Sequence, residues 1–189
     1  MSNTIEYRIE IDIGCGLGTF TLALAGERPL ALVIGIDVNE ESFIKCENQK
    51  RSQGIKNAHF VHAEARDYIE QFVRDKSVSD YHLYFPTPWV GGIRNTNILA
   101  GDLNGWLFGP PLLAELLRTA APGARLRLVT DHDSYFEYAC KIVGLAGLGV
   151  QEWQDPIRRK PIGDLIGTGC ERRQRSLGRS IRYLQCLLK

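Results

Sequence analysis

Three stretches hold residues whose types and spacing suit ligand chemistry. Asp12-Ile13-Gly14-Cys15-Gly16-Leu17-Gly18 sets three alternating glycines just after an acid. Glycine lets a backbone approach a ligand closely and adopt left-handed turns. A dinucleotide fingerprint requires G-x-G-x-x-G, and here the third glycine comes one residue early. The loop also lacks the lysine of a phosphate cradle. Asp37 ends a second apolar run, where a carboxylate can accept both hydroxyls of a ribose. Glu64 and Ala65 follow a third run, where an acid can accept from an adenine amino group. A NAD-type sheet or a non-binding turn is the competing reading of the glycines. The third stretch is Tyr84-Phe85-Pro86-Thr87-Pro88-Trp89. Proline fixes its own φ and restricts the residue before it, so Phe85 and Thr87 are both held. Trp89 can stack on a flat acceptor ring or pack beneath a loop. The plain alternative is a strand-ending turn with a core tryptophan.

These residues need a scaffold, and the hydrophobic pattern supplies one. Residues 8–13, 31–37, 58–63, 80–85, 124–131 and 180–188 read as strands. Residues 19–27, 40–53, 65–73, 111–120 and 134–147 read as helices. Asn39 or Glu40 can cap the second, and Pro122-Gly123 is expected to close the fourth. Strands alternating with helices predict a single α/β domain over 1–189, a doubly wound, mostly parallel sheet with helices on both faces. Residues 90–109 lack periodicity and are rich in Gly and Asn, which predicts a functional loop or lid.

The chain has 189 residues, enough to bury a sizeable core without staples. No apolar run reaches the ~18 residues of a membrane span, and the N-terminus has no secretory pattern. Five scattered cysteines without C-x-x-C predict a reduced, cytoplasmic protein. The four histidines are dispersed, so no metal site is expected. Net charge is +1, yet residues 151–189 hold nine of the 23 Lys+Arg and four of the 22 Asp+Glu. That basic cluster reads either as a phosphate-meeting patch or as a solvated hairpin.

A glycine loop after strand one, with acids after strands two and three, resembles the class I S-adenosylmethionine-dependent methyltransferases. The resemblance implies S-adenosyl-L-methionine as cofactor and a seven-stranded sheet. It places Asp12, Gly14, Gly16, Gly18, Asp37, Glu64, Ala65 and Phe85 at the cofactor. Amine-directed members use a turn comparable to Thr87-Pro88-Trp89. Over most of its length the chain resembles the bacterial tRNA (guanine-N7)-methyltransferases. Their E-I-G-x-G-x-G is met by residues 12–18, G-I-E-V by Gly35-Ile36-Asp37-Val38, and F-P-D-P-W by Phe85-Pro86-Thr87-Pro88-Trp89. Their T-D-x-x-x-Y is met by Thr130, Asp131 and Tyr135, and T-x-F-E by Thr168 and Glu171, with Leu177-Gly178 following. By this likeness Thr87 sits at the catalytic position, and Trp89, Asp131, Thr168 and Glu171 meet the substrate. On their own, Asp131 also reads as a helix cap or turn residue, and Glu171 as the partner of a nearby arginine. Three departures stand out. The family's catalytic aspartate is Thr87 here, the basic run after F-P-D-P-W has no counterpart, and residues 1–7 do not read as the family's basic N-terminal arm. The expectation is methyl transfer to a ring nitrogen of guanine in tRNA by a monomer or homodimer without membrane partners. A small nitrogen heterocycle as acceptor, or a non-catalytic cofactor- or RNA-binding role, is the alternative.

Overall fold

A computed structural model describes residues 8–87, 89–90, 93–94, 107–155 and 167–188, with backbone only at 89–90, 93–94 and 153–155. The chain runs β1 (Arg8–Ile13), α1 (Thr19–Glu27), β2 (Ala31–Asp37), α2 (Glu40–Gln53), β3 (Ala58–His62), α3 (Ala65–Phe72) and β4 (Val78–Tyr84). It continues with β5 (Trp89–Val90), β6 (Ile93–Arg94), α4 (Pro110–Thr119), β7 (Ala120–Thr130), α5 (Asp133–Leu145), β8 (Val150–Asp155), α6 (Gly169–Ser176) and β9 (Ile181–Leu187). The main sheet has seven strands in the order β3-β2-β1-β4-β7-β9-β8. The first five are parallel, and β9 runs antiparallel to both of its neighbours.

Local chemistry explains the elements. Asn39 caps α2 by accepting the Ser42 N–H, acids fill its first turn, and Gly54 ends it at φ 66°. Pro110 opens α4, where a missing N–H costs nothing, and Leu112, Leu113 and Leu116 turn inward. One core cluster joins α3, α4 and α5 to residues such as Ile11, Tyr81, Leu83 and Leu128. A second joins α1 and Cys46 of α2 to Val33, Ala58 and Phe60. Helices therefore cover both faces, as the alternating pattern predicts.

Two elements lie outside that pattern. β8 is the seventh strand, an edge strand whose described side chains are exposed, and α6 carries few apolar residues. The expected helix closure at Pro122-Gly123 is corrected: α4 ends at Thr119, and both residues lie inside β7. The β4–β7 register shifts there, between Val78 and Asp80, and Gly123 takes φ +81°. An irregularity tolerates a residue without an N–H beside one in the left-handed region. The lid expected over 90–109 falls largely outside the described residues. At its start, Trp89–Val90 and Ile93–Arg94 pair antiparallel.

Alternation on β1 and β4 turns Glu10, Asp80 and His82 to one face, away from Ile11, Tyr81 and Leu83. Arg28 Nη1 donates to both Glu10 oxygens at 2.6 Å, and His82 Nε2 lies 3.0 Å from Oε2. Asp80 receives Arg8, Arg125 and Arg127 at 2.5, 2.9 and 2.9 Å. Glu10 and Asp80 are both fully buried. Burial alone would raise the Glu10 carboxyl, but hydrogen bonds from His82 and Arg28 outweigh it and hold it at about 2. Burial pushes the His82 imidazole down, so it stays neutral and Arg28 supplies the charge. A lowered carboxyl stabilises the fold above its ordinary range and loses that contribution as pH falls from about 4.5 towards 2. Glu10→Gln should cost about 3 kcal/mol at neutral pH and about half that or less near pH 3. Urea unfolding at both pH values reads the difference, and an equal loss at both would exclude ionic stabilisation.

Candidate active site

β1 and β4 lie side by side, and the chain leaves them for helices on opposite faces of the sheet. In open α/β sheets the crevice outside the carboxyl ends at such a point receives ligand. Here it opens into a cavity of about 880 Å³, within the ordinary range for a small-molecule site. Gly14, Asp37, Glu64 and Ala65 line its β1–β3 side. Phe85, Pro86 and Thr87 line the end of β4, and Leu107 with the first turn of α4 closes the far side.

The glycine loop is held by backbone bonds. The Gly14 and Cys15 N–H groups donate to the Ile36 carbonyl at 2.8 and 3.0 Å. Gly16 N–H donates to Asp37 Oδ2 at 2.8 Å, and Asn39 N–H donates to Oδ1 at 2.9 Å. Both Asp37 oxygens are thereby oriented, yet each keeps a lone pair for a ligand. Glu64 Oε2 accepts the Asp67 N–H at 2.9 Å, so this acid caps α3 while facing the cavity. Phe85 sits at φ 53°, an uncommon conformation for a bulky residue. Its N–H donates to the Val129 carbonyl at 2.7 Å, and its ring packs near Val129, Ile181 and Tyr183. These contacts overdetermine the turn, so backbone strain is held at the ledge that presents Thr87. Pro86 is buried and Thr87 is exposed.

The residues named from sequence separate into groups. Gly14, Asp37, Glu64, Ala65, Phe85 and Thr87 share the cavity. Asp12, Gly16 and Gly18 do not line it. Asp12 is buried behind it and accepts the Thr21 hydroxyl at 2.6 Å. Gly18 answers to packing: at φ +68°, a Cβ there would lie 2.6 Å from the Phe60 ring and 2.7 Å from Cys46 Sγ. The Trp89 side chain lies outside the described residues. Asp131, Thr168 and Glu171 do not line the cavity either. Asp131 accepts Arg179 at 2.5 Å, while His132 caps α5 in its place. Thr168 caps α6, and buried Glu171 accepts Arg175 and the Tyr183 hydroxyl.

A protein-family model described as "Putative methyltransferase" matches residues 6–180. The chain belongs to this methyltransferase family. A tRNA (guanine-N(7)-)-methyltransferase of Burkholderia cenocepacia is 28% identical over 134 residues, 71% of this chain and 49% of that protein. One of Rubrobacter xylanophilus is 27% identical over 148 residues, 78% of this chain and 62% of that protein. The chain thus spans about half to three-fifths of the length of these curated relatives. Among solved structures, a SAM-dependent methyltransferase of Aquifex aeolicus superposes with a TM-score of 0.61 at 17% identity. It covers 97% of this chain and 85% of its own. That likeness carries the seven-stranded architecture.

In this divergent family member the far wall of the cavity comes from residues the motifs do not contain. Tyr138 and Ile142 of α5 and Pro110, Pro111 and Leu112 of α4 contribute it. The i, i+4 spacing of Tyr138 and Ile142 marks one helix face but cannot say which cavity that face meets. Among the described lining residues Arg66 is the cationic side chain, and it is engaged by Asp67 at 2.8 Å. The C-terminal arginines are partly neutralised: Arg175 pairs with Glu171, Arg179 with Asp131 and Arg182 with Asp133.

Burial, opposed by the Thr21 hydrogen bond and reinforced by nearby Asp37, pushes the Asp12 carboxyl up to about 7. A raised acid favours the fold in its protonated form, so stability falls as pH rises from about 4 to about 7. Asp12→Asn keeps an acceptor for Thr21 and removes the buried charge. Its melting temperature should exceed the parent's at pH 8 and approach it near pH 4, read by scanning calorimetry. A constant difference across that range would exclude titration of Asp12.

Proposed function

We propose that this chain is an S-adenosyl-L-methionine-dependent N-methyltransferase that acts on a ring nitrogen of guanine in tRNA. The observation that carries the reading is Asp37 and Glu64 facing one cavity whose opposite rim is the Phe85-Pro86-Thr87 ledge. The cavity volume and the carboxylates at the tips of β2 and β3 fit a nucleoside, with Asp37 at the ribose hydroxyls and Glu64 at the adenine amino group. Bound there, the donor supplies an electrophilic methyl carbon on a positively charged sulfur.

A guanine N7 lone pair needs no proton removed, so the chain's task is alignment and water exclusion. In well-aligned systems orientation can supply roughly 7–11 kcal/mol, whereas general acid–base help adds only about 10²–10⁴-fold. The strained turn at Phe85 and the buried Pro86 hold Thr87 at a set position. Its hydroxyl can accept from an acceptor amine. Thr87 cannot offset cationic product charge as an aspartate would, so Thr87→Asp tests whether the residue tunes the reaction.

A second reading keeps the donor and changes the acceptor to a small, neutral nitrogen heterocycle. It is favoured by the mostly apolar far wall and by the ion pairs that occupy Arg175, Arg179 and Arg182. Labelled donor offered to unmodified tRNA and, separately, to a metabolite extract distinguishes the two. Label in tRNA alone supports the first reading, and label in the metabolite pool alone overturns it. The donor site has its own test. Asp37→Ala should weaken S-adenosyl-L-methionine by about 10-fold or more in calorimetry, because hydrogen bonds to a charged group contribute roughly 1.5–3 kcal/mol. An unchanged dissociation constant removes Asp37 from the ribose site.

A further inference from the structure

We propose that Cys15 and Cys46 form a disulfide site, and that closing it across the glycine loop weakens ligand binding in the cleft. Cys15 lies in the loop after β1, and Cys46 lies on α2. The two thiols converge on one acceptor. The Gly16 carbonyl oxygen receives Cys15 Sγ at 3.9 Å and Cys46 Sγ at 3.3 Å. Gly18 keeps the space beside them open, since a Cβ there would stand 2.7 Å from Cys46 Sγ. Cys15 is half-buried and gives solvent an approach, whereas Cys46 is fully buried. The interaction of the two sulfurs and then burial raise the Cys15 thiol, whereas the same interaction outweighs burial at Cys46 and lowers its thiol. Among the described cysteines, Cys140, Cys170 and Cys186 lie on α5, α6 and β9, away from this loop.

The oxidant is a low-molecular-weight disulfide such as oxidised glutathione. One protein thiolate attacks its S–S bond and expels one glutathione thiol. The other protein sulfur then attacks the mixed disulfide and expels the second. Two protein S–H bonds and the reagent's S–S bond break. One protein S–S bond and two glutathione S–H bonds form, and two electrons pass to the reagent. The Gly16 carbonyl loses both S–H donors. The same residue's N–H holds Asp37 Oδ2, so a shift of Gly16 reaches the carboxylate assigned to the ribose. The affinity consequence rests on the donor reading above, whereas formation of the disulfide does not.

Purified, reduced protein is incubated with oxidised glutathione at mildly alkaline pH, its remaining thiols are blocked, and its peptides are mapped. The expected result is loss of two hydrogens and a cross-linked peptide pair containing Cys15 and Cys46. Cys170→Ser should form the same cross-link, whereas Cys15→Ser and Cys46→Ser should not. S-adenosyl-L-methionine should bind the oxidised form about 10-fold or more weakly, with recovery on reduction, as expected for losing one or two oriented hydrogen bonds. Glutathione adducts alone, a different pairing, or a cross-linked protein that binds the donor as tightly as the reduced form would overturn the proposal. If the reduced protein fails to bind the donor, the donor reading fails, and the peptide map still decides the disulfide.

Discussion

Asp37 receives the Gly16 N–H at 2.8 Å and the Asn39 N–H at 2.9 Å, and these bonds tie the glycine loop to the turn that launches α2. Without a fixed loop the tips of β1 and β2 would present no defined surface. The Gly14 and Cys15 N–H groups repeat the connection through the Ile36 carbonyl. Three positive-φ glycines make this geometry accessible. The carboxylate read as a ligand group is therefore also a structural one. An acid oriented by its own backbone meets a ligand with little further ordering, which lowers the entropic cost of binding.

The strands behind this loop are unusual for a parallel sheet, which normally reads as an apolar run. Glu10, Asp12, Asp80 and His82 share one face of β1 and β4, and Arg127 reaches them from β7. Every one of them is partnered. Buried ion pairs rarely gain much over a well-packed apolar core, but removing one partner leaves a costly bare charge. The network thus constrains which strands can sit together. It also leaves Asp12 beside Asp37, so charge in the core and charge at the cleft are electrically coupled.

At the other rim, the ledge and the far wall divide the work. Phe85 is forced to φ 53° by its hydrogen bond to Val129 and its packing, and this fixes Thr87. The wall from α4 and α5 is apolar apart from the Tyr138 hydroxyl, while three C-terminal arginines are occupied by acids of the same chain. A polyanionic acceptor would have to compete with those pairs. A flat neutral ring would not, which is why both acceptors are carried into the functional reading.

Sequence alone determined the elements and their kind. The run at 31–37 is short and apolar because that strand lies inside the sheet between helix layers, and Asn39 announces its helix by side-chain chemistry. It also located Asp37, Glu64 and the proline ledge at strand ends, because a residue at the tip of a parallel strand is placed by local pattern and topology together. Only the tertiary structure decided the rest. Asp12 and Gly18 share the motif of Gly14, yet one turns inward to Thr21 and the other is shaped by Phe60, since facing depends on strand pairing rather than spacing. Asp131 and Glu171 keep the family's motif but meet Arg179 and Arg175. A carboxylate's partner is chosen by whichever cation the fold brings within hydrogen-bond reach, and for Asp131 that cation lies 48 residues away in sequence.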